Sequence, residues 1–441
     1  MLLKKKLRVL AIVLICGFLS ATAQESFNLT DLINMTLQEN YQLRIMRNQK
    51  QMADNLNTIG NAGMLPTIGI SSDRTWDIQT SEANLYTGVT RIGDNALSTG
   101  FNAMLAVDWT VFDGFSMFAR RDRLGYLASL SELEMKYFLE QTIADLTIAY
   151  NLLIRERQLL ESYRQSKEVS AFRLELERRK LDIGSGNALL YQQALVDYNH
   201  DSILVIDQQM NIREQEIQIN RIINRNPRLP FEPGNDQIDL NGVDPMEEIV
   251  EMSIANNREL ERTRLMEMLA ESNTRIERGD RYPQISLWSA YSYSSQTSET
   301  GLIESAQSRG PRFGVRVRFN LYDGGRQTTN IRNALLEQES ATIDADDTNA
   351  YIESNIVRLS ARYDAFVQQY RILLNSVEAA DKSLTIAREQ LQSGAINGYE
   401  FRQTQLASLQ VKNQMIALMY AMKVIETDID RITGTLIDRV L

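Results

Sequence analysis

The side chains that carry most nucleophilic and metal chemistry are nearly absent from this chain of 441 residues, which has one histidine, His200, and one cysteine, Cys16. A Ser-His-Asp triad, a Cys-His pair or a His-rich metal site would each rest on His200 alone. Carboxylates are plentiful, 57 Asp and Glu against 47 Lys and Arg. A hydrolase working with two carboxylates could be built from such a set, but the acids are spread over helical faces and make no paired constellation. We therefore expect no enzyme, no cofactor and no metal. One charged group has a clear pattern: Arg312, Arg316 and Arg318 share a face of the alternating segment 312–321, opposite Phe313, Val315, Val317, Phe319 and Leu321.

The chain starts like an exported protein. Lys4, Lys5, Lys6 and Arg8 precede an apolar run, Val9 to Leu19, and Ala21-Thr22-Ala23 supplies small residues for cleavage. This reads as a signal peptide over 1–23, with the mature chain beginning near Gln24. A lipid anchor at Cys16 is the rival, disfavoured by bulky Ile15 before it. Removing the four basic residues of the signal leaves 43 basic against 57 acidic. A strongly acidic exported chain is a poor binder of nucleic acid. Beyond the signal no apolar stretch reaches 18 residues, so insertion into a membrane would have to be by β-strands.

The chain also repeats itself. Asn40 and Asn257 stand 217 apart, as do Leu65-Pro66 and Tyr282-Pro283. From there the offset is 210: Trp109-Thr-Val-Phe-Asp113-Gly114-Phe115 matches Phe319-Asn-Leu-Tyr-Asp323-Gly324-Gly325, residues 181–194 match 391–404, and 220–226 match 430–436. This places a first repeat at 24–226, a proline-rich linker at 227–245 and a second repeat at 246–441. Two stretches, 67–226 and 312–441, are free of proline, as long helices require.

Each half reads as helix, two strands, long helix, turn, helix. Strands at about 67–78 and 101–111, and at 284–295 and 313–321, form hairpins over about 67–112 and 284–322, with Ser/Thr/Gly-rich loops at 79–99 and 297–310. Alternation on one side over ten to twelve residues is the mark of a membrane strand; a soluble sandwich with a wet face is the alternative. Helical hairpins follow at about 115–225 and 326–433. Ile356, Leu359, Tyr363, Phe366, Tyr370 and their successors to Leu391 step by three and four, a coiled-coil seam. A helix from Arg326 to Ser393 would span roughly 100 Å. The first-half seam is interrupted by Glu156, Lys167, Ser170 and Glu177. Four membrane strands cannot close a barrel and eight would leave no lumen, so a conducting barrel needs at least three chains and twelve strands.

These residues together look like the TolC-type outer-membrane efflux protein family. The resemblance covers Leu29 to about Leu436, carried by Asn40, Leu65-Pro66, the Trp109 to Gly114 run, Gly184, Asn257, Tyr282-Pro283, the Phe319 to Gly325 run, Gly394 and Gly434-Thr435-Leu436. It implies a mainly α protein with membrane β-structure: a homotrimer whose 12-stranded outer-membrane barrel continues into a periplasmic α-helical tunnel. It implies a passive exit duct, served by a periplasmic adaptor and an inner-membrane pump, in an efflux system or in type I protein secretion. A coiled-coil scaffold without a channel is a further alternative, against which the two barrel-like hairpins argue.

Site residues come with the resemblance. The tips Ile183-Gly184-Ser185-Gly186 and Ser393-Gly394-Ala395-Ile396 match those where the family's adaptors dock. Glu400 falls where the family sets an acidic ring at the channel mouth, while the companion acidic positions are Gln403 and Leu190 here. The family's gate-locking Tyr and Arg align with Leu391 and Ile396, so that lock is lost. The barrel lumen would be lined by Arg312, Arg316 and Arg318.

Overall fold

A computed structural model describes residues 26–299 and 303–440; the expected signal peptide and the tip of the loop at 300–302 lie outside the described residues. In chain order the elements are β1 (Ser26–Phe27), α1 (Leu29–Glu39), α2 (Tyr41–Leu56), β2 (Thr67–Asn84), β3 (Thr90–Asp113), α3 (Ser116–Asp182) and α4 (Ala188–Ile222). There follow β4 (Glu232–Pro233), α5 (Met246–Asn256), α6 (Arg258–Gly279), β5 (Gln284–Ser298), β6 (Ser305–Arg318), α7 (Arg326–Ser393), α8 (Gly398–Ile432) and α9 (Leu436–Val440). The helical pairs α3/α7 and α4/α8 start 210 residues apart, the offset of the sequence repeat.

The chain divides into two compact units, each drawing on both repeats. One holds Met46–Met135 and Glu259–Thr348; the other holds the described residues up to Ile45, Lys136–Arg258 and everything from Asn349 onward.

The first of these contains one antiparallel sheet in the order β2-β3-β5-β6. Its strands outrun the alternation expected of them. The ladder of β2 with β3 continues past Ile78 to the pair Asn84 and Thr90, so the loop read over 79–99 is a tight turn at 85–89 on a longer hairpin. The extension is largely polar, with Ile92 as its one large apolar residue, so it offers no alternation to read although backbone pairing proceeds without it. At the other end β6 stops at Arg318, leaving Phe319 and Leu321 beyond the strand.

The duplicated Asp-Gly corners have a shared physical cause. Asp113 accepts from the Met117 amide (3.1 Å) and Asp323 from the Gln327 amide (2.9 Å), so each caps the long helix that follows. Gly114 (φ 69°) and Gly324 (φ 75°) turn the chain in the left-handed region. A Cβ on Gly114 would lie 2.1 Å from the Gly279 carbonyl oxygen, which excludes any side chain there. Phe115, also at φ 69°, stands where the second repeat has Gly325.

The helical unit is built on a core that includes Phe27, Ile33, Leu146, Leu153, Ile219 and Phe231. Every seam position of α7 from Ile356 to Leu391 is buried or half-buried. Three of the polar interruptions of the first seam are buried too, and each meets a partner: Glu156 accepts from Gln208 (2.5 Å), Ser170 donates to Asp201, and Glu177 pairs with Lys180 (3.0 Å); the fourth, Lys167, is half-buried over the Tyr198 ring (5.6 Å). The anchor asparagines tie each repeat shut. Asn40 donates to the Ile222 carbonyl (3.0 Å) and Asn257 to the Ile432 carbonyl (2.9 Å), so each satisfies the end of its own return helix.

The segment 227–245 is no free spacer. Phe231 is buried and stacks on Phe27 with ring centres 5.4 Å apart, Glu232 pairs with Arg157 (2.7 Å), and Phe27 and Pro233 share a parallel bridge. Burying one such aromatic contributes about 1.5–3 kcal/mol. Its four prolines made the stretch read as a linker, yet two apolar residues, Phe231 and Ile238, are enough to dock it.

Candidate functional site

The sheet has two chemically distinct faces, set by the register. One gathers Ile68, Ile70, Leu105, Val107, Tyr291, Phe313 and Val315; most are exposed in the single chain. The other gathers Thr67, Ser71, Asp73, Asn102, Asp108, Ser292, Ser294, Arg312 and Arg316. On the apolar face Trp109 and Trp76 lie ten register positions apart. At about 3.3 Å per residue and a tilt near 45°, that is about 23 Å, close to the apolar height of an outer-membrane barrel between its aromatic girdles. Arg74 lies over the Trp76 ring at 5.2 Å, where a charge on this face is best tolerated.

Arg312, Arg316 and Arg318 fall together on the polar face. Arg316 reaches across β5 to Asp108 at 3.5 Å. Between these arginines Gly314 leaves room for the Trp288 ring, which would sit about 3 Å from a Cβ placed there.

Both helical tips end in the same hydrogen-bonded stop. Gly184 (φ 76°) donates to the Leu181 carbonyl and Ser185 to that of Lys180; Gly394 (φ 78°) donates to Leu391 and Ala395 to Gln390. These are Schellman motifs, in which the left-handed residue lets two amides satisfy carbonyls of the last turn. The tips differ in dress. Ile183 is 78% exposed, whereas Ile396 packs against the cluster of Ala387, Leu391 and Phe401. Gly186 has its own steric reason, because a Cβ there would lie 2.4 Å from the Leu181 amide nitrogen.

Glu400 is exposed and in the first turn of α8. Its carboxylate accepts from the Asn397 amide (3.1 Å), while the Asn397 side chain accepts from the amides of Tyr399 and Glu400 (3.0 and 2.9 Å). That is a capping box. In the first repeat Asn187 caps α4 by accepting from Leu189, but Leu190 occupies the third position and cannot complete a box. Glu400 therefore has a local structural task besides any role of its charge.

Leu391 and Ile396, aligned with the family's locking Tyr and Arg, lie in the apolar cluster near the tips. The ionic contact nearby is one that the sequence did not disclose. Arg402 pairs with Asp201 through two bonds of 2.8 Å, and Ser166, Ser170 and Gln405 complete the shell of Asp201. Burial pushes the Asp201 carboxyl up, but the hydrogen bonds from Arg402 and Ser170 outweigh it and hold it below its ordinary value. Arg173 joins through Asp197 (2.5 Å). The sequence signal for it was slight: Ser170 is one of four polar breaks in the first-half seam.

Among the described residues no helix is long and apolar enough to cross a membrane. Residues 249–435 match the family model for outer membrane efflux proteins. The Campylobacter jejuni CmeC outer membrane channel superposes with a TM-score of 0.78 at 14% identity, over 92% of this chain and 86% of that one. The fold is that of the TolC-type outer-membrane efflux proteins. Two more solved structures share the fold: the outer membrane protein VceC of Vibrio cholerae (TM-score 0.74, 16% identity, 92% of this chain and 96% of the other) and the open state of the MtrE outer membrane channel of Neisseria gonorrhoeae (0.70, 15%, 92% and 89%). No match was found among curated protein sequences. The efflux-protein fold accounts for the duplicated order of the anchors, the two-faced sheet and the long helical hairpins.

Proposed function

We propose that this chain is the outer-membrane exit duct of a tripartite export system. Three copies close their sheets into a twelve-stranded barrel and continue it as a helical tunnel through the periplasm. The carrying observation is the sheet itself: apolar on one face, polar on the other, with β2 and β6 each paired on one side alone. Such a sheet suits lipid outside and water inside, and its open edges need partners. A second surface supports the reading. Leu189, Val196, Ile203, Met210 and Ile217 recur every seven residues on α4 and are 38–67% exposed. A heptad stripe of this kind calls for another helix.

In this reading the duct is passive and performs no catalysis. Energy comes from an inner-membrane pump, coupled through a periplasmic adaptor that docks on Ile183-Gly184-Ser185-Gly186 and Ser393-Gly394-Ala395-Ile396. Three copies of Glu400 around one axis would focus a negative potential at the tunnel mouth and favour cations modestly.

The test is assembly and conduction. Mature protein extracted from outer membranes should run as a trimer in mild detergent and give discrete conductance steps in planar bilayers. A monodisperse monomer with its β-structure intact would overturn the proposal.

A further inference from the structure

The polar face of the sheet keeps its charges at the two edges. On β2 this face carries Asp73 and Asp77 and no cation, since Arg74 lies on the other side. On β6 it carries Arg312, Arg316 and Arg318 and no acid. Between Thr67 and Gln79 and across their register partners, the one other charge on this face is Asp108 of β3. Among the described residues Asp73, Asp77, Arg312 and Arg318 make no ion pair within the chain; Asp73 accepts from Asn102 (3.0 Å).

The direction of the strands is right for these edges to meet. β2 to β3, β3 to β5 and β5 to β6 are all antiparallel, so β6 runs opposite to β2. A second copy placed with its β2 beside β6 continues the antiparallel ladder and keeps the polar face continuous. Within one chain the ladders set Arg312 level with Gly69 and Ser308 level with Asp73, so the charged edges come opposite one another when the next β2 is staggered by about six to eight residues, as the shear of a barrel with strands tilted near 45° requires. Across the one strand spacing that then remains, about 4.8 Å, reach is no obstacle, since Arg316 already spans an intervening strand to touch Asp108.

We propose that the seam between copies is ionic: Arg312, Arg316 and Arg318 on β6 of one protomer face Asp73 and Asp77 on β2 of the next. The inference rests on the closed-barrel reading above and adds what selects the partner edge. Two β2 edges would set acid against acid, and two β6 edges cation against cation. Only the head-to-tail contact matches charge, and it is the contact that closes a ring. With Asp108 already on Arg316, the two seam aspartates balance the three arginines, so the barrel end adds little field to the conduction path.

The experiment uses the full mature chain in detergent, with the surviving oligomer followed on heating in SDS and the fold followed by circular dichroism. Three variants are needed: Asp73→Arg with Asp77→Arg, Arg312→Asp with Arg316→Asp, and all four changes together. Each pair alone should lose most of the oligomer at temperatures where the unmodified protein keeps it, and the fourfold exchange should restore it. Restoration supports the seam even if either pair alone fails to fold. Pair variants as resistant as the unmodified trimer, or a fourfold exchange that restores nothing, would overturn the seam while leaving the trimeric channel standing. An unmodified chain that is itself monomeric would overturn both.

Discussion

The Arg402 guanidinium and the Asp201 carboxylate meet as a two-bonded pair across helices of different repeats, and Asp201 is 1% exposed. Removing one partner leaves an uncompensated buried charge. Arg402→Met should therefore cost about 3–5 kcal/mol in urea unfolding near neutral pH. Replacing both, Arg402→Met with Asp201→Leu, should recover most of that loss. The pH dependence has a defined sign. Because the folded carboxyl lies below its ordinary value, its stabilisation is present above the unfolded pKa and is lost as pH falls through the lower folded one. The gap between unmodified protein and Asp201→Asn should narrow in acid; a gap that widens there would contradict the pairing.

Glu400 can be tested for its two tasks separately. Glutamine also fits the third position of a capping box, so Glu400→Gln should keep the hydrogen bond to Asn397 and lose about 0.3–1 kcal/mol of charge–dipole interaction. Cation preference in bilayer recordings should fall in that variant while thermal stability stays close to normal. An unchanged reversal potential would leave Glu400 with its capping task alone.

The tip glycines should separate by mechanism. A Cβ at Gly184 or Gly394 meets nothing within 4 Å, so alanine there costs only left-handed backbone strain, about 1–2 kcal/mol. Gly186→Ala should cost more, because its Cβ would press on the Leu181 backbone. Tryptophan at Gly184 and at Gly394 should impair export while the trimer still inserts. Normal export in both variants would remove the docking assignment.

Neighbouring residues of β3 offer a clean contrast between lipid and water. Leu105 lies on the apolar face and Ala106 on the polar one. Near the middle of the band Leu105→Arg should cost about 2–4 kcal/mol of barrel stability, and Ala106→Arg should be tolerated. Equal effects in denaturant titrations of the barrel in lipid would refute the assignment of faces.

Local periodicity was enough to read the two hairpins and the long helices, and matched short motifs on a common offset were enough for the repeat and the glycine tips. Alternation by two and stepping by three and four are properties of short windows, and hydrogen-bonded turns impose their residue types within four positions. Contacts between distant segments left no such trace. Arg402 and Asp201 lie 201 residues apart and each sits in an unremarkable polar stretch. Whether a polar seam residue such as Ser170 or Glu156 is buried or solvated depends on which helix lies opposite it. The docking of 227–245 likewise needed Phe27 to be in place for Phe231. Even Glu400, found through resemblance, acquired its second task only when Asn397 was seen to start the helix. Burial of a polar group is decided by its partner, and partners are chosen by tertiary packing.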